Sequence, residues 1–166
     1  MNRMVNEKIR EALVKQPNAF PTMIAQELGV SEWAVVSQLT SEVMQEVDAA
    51  AFDKIMQEVT NWGEITFIVR NGSVIAEIKG IVPQGTYGRG YFNFAHDVSP
   101  ISGHINVANL AHICFVQKAA MGMESLSIQF FDKQGDSMFK IYLGRGEDKK
   151  HILAQIDAYN KLQASL

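Results

Sequence analysis

The sequence predicts an α+β fold in which N-terminal helices are followed by a mostly antiparallel multi-stranded sheet and a C-terminal helix. The hydrophobic period falls from that of a helix to two near residue 61, and Asn71-Gly72 joins two alternating segments as in a β-hairpin. Charge divides at the same place: residues 1–60 carry five Lys or Arg and nine Asp or Glu, whereas residues 61–166 carry ten and nine. The length of 166 residues suits one domain, 1–166, with a helical segment 1–60 and a sheet segment 61–166.

Apolar residues recur at helical spacing through the first segment. Ser31 and Asp48 stand where helix N-caps are expected. The apolar positions that predict helices are Val5, Ile9, Ala12, Leu13, Ile24, Leu28, Phe52, Ile55, Met56 and Val59.

Seven strands are predicted in the second segment, which favours antiparallel pairing. A turn at residues 133–135 separates the last two. A helix over 148–164, with Ile152, Ile156, Tyr159 and Leu162 on one stripe, follows them. The predicted strands cover residues 64–70, 73–80, 87–94, 101–107, 111–118, 124–131 and 136–143.

Composition excludes several classes of protein. Charged and apolar residues occur in globular proportions, and the single Cys114 cannot form an internal disulfide. The first residues alternate charged with apolar side chains, and no later stretch approaches the length of a membrane span. We therefore expect a soluble cytoplasmic protein that does not insert into a membrane.

Residues 23–39 have the helix, glycine turn and second helix of a DNA-binding helix-turn-helix, with Gly29 at the turn. Binding to DNA phosphates is usually driven by Lys and Arg, but residues 24–46 contain neither and carry four glutamates. The better interpretation is a helical hairpin that packs on the sheet or on a neighbour, and we expect no nucleic acid partner. Its acidic face leaves a protein-binding use open.

The histidines do not have the spacing of a metal site. His96, His104 and His112 are separated by eight residues each, and neither HxH nor HExxH occurs. We expect His112 to be packed or half-buried in a strand and His151 to be solvated in the terminal helix. Nucleotide-binding and hydrolase fingerprints are also absent from the sequence.

The stretch GRGYFNF, residues 88–94, suggests a binding surface when it is placed on a strand. Arg89, Tyr91 and Asn93 then share one face, and His104 in the following strand can join them. Met138, Lys140 and Tyr142 form a further alternating set. Such a surface suits a flat, largely apolar ligand with an anionic edge and an atom that Tyr or His can coordinate, a description that haem fits.

Each of these residue types has a role in haem binding. An ionised Tyr suits ferric iron, and a neighbouring Arg favours the ionised form. Arg or Lys can pair with the propionates, and aromatic or Met side chains can cover the porphyrin. The competing interpretation is that Tyr91 is an ordinary strand residue and His104 caps a turn, a pattern common in sheets.

The motifs WGEITFIV, GRGYFNF, SGHI, MGMES and FFDKQGDSMFKIYLGR occur in the order and with the spacing of a known family. From about Trp62 to the C-terminal helix, the chain resembles the haem-utilisation cytosolic carrier family of the HutX/ChuX type. The resemblance implies an intracellular carrier that receives imported haem and passes it to a haem-degrading enzyme. It also implies a homodimer, because a single-repeat chain looks like half of the larger two-repeat haem-utilisation proteins.

The resemblance also implies the site residues. Tyr91 and His104 match positions that are candidates for the haem-iron ligand, and Arg89 is a candidate for the propionates from its place beside Tyr91. Lys140 and Arg145 match a basic patch that faces haem or the dimer seam. Related chains can have a histidine where this chain has Arg70, which favours Tyr91, with or without His104, as the ligand. Of the MGMES motif, Met121 and Met123 are expected in the core.

Three functions follow from these observations. The carrier without turnover is preferred, with haem as its cargo. A haem-degrading or haem-remodelling enzyme is the alternative, because the larger relatives include such activity. A transcriptional regulator that uses residues 23–39 is disfavoured by its acidic surface.

Overall fold

The computed structural model describes residues 3–120 and 122–166, which form five α-helices and nine β-strands. The helices are α1 (Arg3–Lys15), α2 (Pro21–Leu28), α3 (Glu32–Val36), α4 (Phe52–Val59) and α5 (Leu153–Ala164). The strands are β1 (Met44–Val47), β2 (Glu64–Arg70), β3 (Ile75–Ile81), β4 (Gly85–Gly88), β5 (Tyr91–Phe94), β6 (His104–Ile105), β7 (Leu110–Ala120), β8 (Met123–Asp132) and β9 (Ser137–Tyr142).

The strands form two antiparallel sheets. The large sheet has the order β1-β7-β8-β9-β2-β3, and the small sheet has the order β4-β5-β6. This arrangement confirms the predicted α+β class with antiparallel pairing and helices at both ends.

The main core lies on one face of the large sheet, which we call the core face. Phe130 stacks on Phe139 there with ring centroids 4.1 Å apart, and Phe67 meets Phe94 of the small sheet. Helices α4 and α5 cover the same face, where Tyr159 packs on Phe115. Full burial of each such side chain contributes roughly 1.5–3 kcal/mol, so this core holds the small sheet on the large one.

Helices α1 to α3 cover part of the opposite face, which we call the outer face. Val36 of α3 packs in one buried cluster with Cys114, Val116 and Phe131 of the large sheet. Gly29 ends α2 with a φ of 64°, a left-handed conformation that glycine adopts without a Cβ penalty. The hairpin interpretation of residues 23–39 is therefore confirmed, because the second helix is buried against strands.

The predicted capping residues act as expected. The Ser31 side chain accepts a hydrogen bond from the Ala34 amide, and the Asp48 carboxylate accepts one from the Ala50 amide. Asp48 begins a 3-10 turn, Ala49–Ala51, that leads into α4. Each cap satisfies an amide that has no partner within the helix.

The hairpin predicted at Asn71-Gly72 is confirmed, although its loop is longer than a two-residue turn. Arg70 pairs with Ile75, so residues 71–74 form the loop. The Asn71 side chain accepts hydrogen bonds from the amides of Ser73 and Val74, at 2.8 and 2.9 Å. These side-chain bonds help to close the four-residue loop, in which Gly72 does not adopt the positive φ of a two-residue turn.

The sequence predicted that the segment 1–60 is helical, but this segment also contains a strand. Residues 44–47 form β1, which pairs with β7 at the edge of the large sheet. A four-residue edge strand has too few positions for an alternating pattern to be recognised. Because β1 belongs to the same sheet as the second segment, the change in charge near residue 60 does not mark a structural boundary.

The C-terminal helix begins at Leu153 and not near residue 148, and its buried face includes a glutamine. The Gln155 side chain, 2% exposed, accepts a hydrogen bond from the Gly144 amide and donates to the carbonyls of Trp62 and Glu64. Ile152, predicted within the apolar stripe, instead precedes the helix and is partly exposed.

Candidate functional site

The predicted strand 87–94 is two strands joined by a tight turn. Gly88 pairs with Tyr91, and both residues between them have positive φ, 53° at Arg89 and 83° at Gly90. Positive φ at both central residues is what a type I′ hairpin turn requires. Arg89 therefore lies at the hairpin tip, beside Tyr91, and not on the strand face where the sequence had placed it.

The small sheet has one apolar face and one polar face. Phe92, Phe94 and Ile105 are buried against the main core. Since side chains alternate along a strand, Tyr91 and Asn93 point to the other side, which we call the tyrosine face. His104 pairs directly with Asn93 and so lies on the same face.

The tyrosine face brings two of the predicted site residues together. The rings of Tyr91 and His104 have centroids 6.2 Å apart at an interplanar angle of 67°. Tyr91 is 43% exposed and His104 is also exposed. A His104 ring nitrogen, Nδ1, is 2.6 Å from the Asn93 Oδ1, so Asn93 holds one edge of this exposed imidazole.

A second tyrosine of the hairpin serves a different purpose. The Tyr87 hydroxyl donates a 2.6 Å hydrogen bond to the Asp53 carboxylate of α4. Partial burial, followed by this bond and the negative charge of Asp53, raises the pKa of Tyr87 to about 12. Tyr87 is therefore a neutral hydrogen-bond donor, whereas Tyr91 has its ring beside a histidine.

Lys140 does not lie near Tyr91 and His104, although the sequence suggested that alternate residues of β9 extend the same binding surface. Its ammonium group forms a buried ion pair with the Glu32 carboxylate, and both side chains are less than a tenth exposed. The position lies on the outer face, beneath α3, while the small sheet lies on the core face. Of the two residues predicted to form a basic patch, Lys140 is therefore buried beneath α3, whereas Arg145 is exposed.

Arg145 lies in a groove of about 450 Å³ on the outer face, which we call the outer groove. Its guanidinium donates to the carbonyls of Lys149 and Glu124, and its backbone forms a bridge with His151. The apolar part of the groove lining comes from Phe20, Ile65, Ile68, Met123, Tyr142 and Leu143, and its ionisable part includes Glu64, Glu77, Lys79, Arg145 and His151.

Two side chains of this groove have shifted protonation equilibria. Burial, with a smaller effect from the charge of Glu32, raises the pKa of Tyr142 to about 12. Burial and the adjacent Arg145 charge lower the pKa of His151. Both groups are therefore neutral near pH 7. His151 was predicted in the terminal helix, but it precedes that helix and is partly buried.

Three further residues singled out in the sequence are Met121, Met123 and Arg70. Met123 is 55% exposed and lines the outer groove, so its predicted core position is wrong. Met121 lies outside the described residues. Arg70 ends β2 and lines a separate cleft with Glu32 and Asp136.

His112 is half-buried in β7, as predicted. Its ring stacks on Trp33 of α3 with centroids 4.2 Å apart, and its Nδ1 is 2.8 Å from the Glu46 carboxylate of β1. These contacts tie α3 to the sheet edge. Within residues 3–120 and 122–166, no group of three or more His, Cys, Asp or Glu is placed to hold a metal ion.

The outer groove could not be found from the sequence. Its residues come from β2, β3, β8, the end of β9 with the segment that follows it, and the α1–α2 connection. Asn93, in contrast, stood in the predicted set beside Tyr91, but alternation alone gives no sign of its hydrogen bond to His104.

The family model described as "Haem utilisation ChuX/HutX" matches residues 45–162. Among curated proteins, the intracellular heme transport protein HutX of Vibrio cholerae is 33% identical over 159 residues, which cover 96% of this chain and 82% of that protein. A solved structure of the heme-binding protein ChuX is 34% identical, with a TM-score of 0.84 over 95% of this chain and 97% of that one.

A more distant likeness concerns the architecture alone. The structure of PhuS from Pseudomonas aeruginosa is 14% identical, and its TM-score is 0.74 over 94% of this chain. The match covers only 46% of the PhuS chain. The fold of this protein therefore corresponds to about half of a larger chain, as the two-repeat expectation requires.

Proposed function

Because the chain belongs to the haem utilisation ChuX/HutX family, we propose that it is a cytoplasmic haem carrier whose iron ligand is Tyr91. Relatives of similar length are named for heme transport and heme binding. Among the described residues, no helix has both the length and the apolar character needed to cross a bilayer.

The observation that carries the proposal is the pairing of Tyr91 and His104 on an exposed face of the small sheet. A phenolate oxygen and an imidazole nitrogen are both ligands of haem iron, and ferric iron favours the phenolate. Arg89 lies at the adjoining turn, so its charge can favour phenolate formation or pair with a propionate. The buried Phe92 and Phe94 hold this strand on the core.

The open tyrosine face suits a protein that must release its ligand. Haem on an exposed sheet with one or two iron bonds can be taken by an acceptor, whereas a sealed pocket would slow its dissociation. We propose that the acceptor is a haem-degrading enzyme and that the protein itself does not turn haem over.

The placement of Arg145 supports a site made by two chains. The large sheet separates the outer groove from the tyrosine face within one chain. One haem cannot contact Tyr91 and Arg145 of the same chain in that arrangement. We propose that a homodimer brings the tyrosine face of one chain to the outer groove of the other, where apolar side chains cover the porphyrin and Arg145 pairs with a propionate.

Haem titration followed by absorbance tests the carrier function. The wild-type protein should give a saturable spectrum with the charge-transfer band of a tyrosinate complex, and Tyr91→Phe should abolish that band. His104→Ala should weaken binding with less spectral change. Tyr87→Phe, in the same hairpin, should leave the spectrum unchanged. The absence of saturable binding by the wild type would overturn the proposal.

Mixing two defective variants tests the two-chain site. In a mixed dimer of Tyr91→Phe and Arg145→Gln chains, one of the two sites receives both mutations and the other receives neither. Haem binding with the wild-type spectrum should return in the mixed dimer, with at most one intact site per dimer. If binding does not return although native mass spectrometry of differently tagged chains shows mixed dimers, Tyr91 and Arg145 do not share a site.

Turnover is tested by incubating the haem complex with an electron donor. A carrier should keep its porphyrin absorbance apart from reduction of the iron. Steady loss of that absorbance with release of iron or a linear tetrapyrrole would show that the protein degrades haem.

A further inference from the structure

Asn93 pairs with His104 across β5 and β6 on the tyrosine face, and its amide group is oriented by the backbone of the hairpin. The Asn93 Nδ2 donates to the carbonyl oxygens of Thr86, Gly88 and Tyr91, at 3.2, 3.1 and 3.2 Å. Carbonyl oxygens can only accept hydrogen bonds, so the amide nitrogen must be the end that faces them. The amide oxygen is thereby directed to the opposite side, toward β6.

The orientation of the amide decides which nitrogen of His104 carries the proton. The Asn93 Oδ1 is 2.6 Å from the His104 Nδ1, and an amide oxygen can only accept. The neutral imidazole must therefore donate its N–H from Nδ1. The lone pair is then on Nε2, the ring nitrogen that does not contact Asn93, in a ring whose centroid lies 6.2 Å from that of Tyr91.

We propose that Asn93 is a positioning residue that holds His104 as the Nδ1–H tautomer, so that its Nε2 faces the haem site as an acceptor. The inference rests on the proposed haem site for its purpose, although the tautomer can be measured without haem. In haem proteins and metal sites, a histidine ligand is commonly fixed by a hydrogen bond to its second nitrogen. Here that bond comes from a side chain locked by three main-chain carbonyls.

The Nε2 lone pair gives His104 two uses at the same site. It can bind the iron directly, or it can accept a hydrogen bond from the Tyr91 hydroxyl and take up its proton as the phenolate binds iron. Either use requires an unprotonated Nε2. Without the bond to Asn93, His104 would more often carry its proton on Nε2, because free imidazole side chains favour the Nε2–H form. In that form Nε2 can neither bind iron nor accept a proton.

The first test is the tautomer of His104 in the haem-free protein, read from the nitrogen chemical shifts of the ring at a pH where it is neutral. We expect the Nδ1–H form in the wild type and a shift toward the Nε2–H form in Asn93→Ala. Thr86→Ala, on the same face of β4, should keep the wild-type tautomer because its carbonyl is retained. An Nε2–H form in the wild type would overturn the inference whether or not haem binds.

The second test asks whether Asn93 acts through His104. Loss of a hydrogen-bond partner that supports a ligand typically weakens binding roughly 10- to 100-fold, and we expect Asn93→Ala to weaken haem binding within that range. The same substitution should have little further effect in a His104→Ala background. An equal loss in both backgrounds would show a structural role for Asn93 and overturn the inference.

These tests separate the inference from the function. If the wild type binds no haem, the carrier proposal fails while the tautomer measurement still decides the role of Asn93. If Asn93→Ala does not fold, the wild-type tautomer and the Thr86→Ala control remain decisive.

Discussion

Lys140 and Glu32 form an ion pair that is buried between the outer face of the large sheet and α3. The two side chains are 8% and 9% exposed, and 108 positions of sequence separate them. Lys140 also lies 6.0 Å from the centre of the Phe131 ring. The contact fastens the helical layer to the sheet and removes Lys140 from the surface.

Breaking this pair should destabilise the protein strongly. Removal of one partner leaves the other charge buried without compensation, which costs about 3–5 kcal/mol. We therefore expect Lys140→Met to lower the free energy of unfolding in urea by that amount. The double variant Lys140→Met with Glu32→Leu should recover most of it, because no buried charge remains. Lys161→Met, an exposed control on α5, should change the free energy of unfolding by less than about 0.5 kcal/mol.

The same variants test the position of Lys140 relative to haem. Where Lys140→Met is folded, its haem affinity should equal that of the wild type. A folded Lys140→Met protein with weakened haem binding would show that Lys140 takes part in haem binding.

Replacement of Gln155 should be costly although it removes a polar side chain from the interior. Gln155→Leu would leave the Gly144 amide and the carbonyls of Trp62 and Glu64 without their present partner. Each buried group left unsatisfied costs about 1–3 kcal/mol, so we expect a loss of several kcal/mol in chemical denaturation. Gln163→Leu, a less buried position of the same helix, is the matched control. Equal stability of Gln155→Leu and the wild type would contradict this role.

The packing beneath the tyrosine face can be tested at two glycines of β4. A Cβ at Gly85 would overlap the ring of Phe92, whereas at Gly88 the nearest atom is the Asn93 Nδ2 at 3.4 Å. Forcing an extra methyl into a filled core costs roughly 1–3 kcal/mol. Gly85→Ala should therefore lower the thermal midpoint, with a much smaller effect for Gly88→Ala. Similar midpoints for the two variants would show that Phe92 is free to move.

His151 should titrate below its ordinary pKa of 6.5 when it is followed by NMR. Burial is the main cause and the Arg145 charge is the next, so Arg145→Gln should raise the pKa only in part. Because the folded state disfavours the imidazolium, the resulting stability is complete above pH 6.5 and is lost as the pH falls toward the folded pKa. Lys149→Gln, which removes a neighbouring exposed charge, should leave the His151 titration nearly unchanged.

Local patterns in the sequence determined the classes of the elements and many of their limits. Alternation and the Asn71-Gly72 pair predicted the hairpin of β2 and β3, and Ser31 and Asp48 cap helical turns as expected. These features depend on backbone conformation and on neighbours a few residues apart, so they can be recognised without the rest of the chain. Tyr91 and His104 could also be placed together, because adjacent short strands bring alternate residues to one face.

Only the tertiary structure decided where the basic residues lie. Alternation cannot show that positive φ places Arg89 in a turn, or that α3 covers Lys140 and supplies Glu32. It also cannot show that Arg145 and Tyr91 lie on opposite sides of the large sheet. Each of these outcomes depends on pairing and packing between segments far apart in the sequence, and such contacts fix which face of a strand is buried and by what.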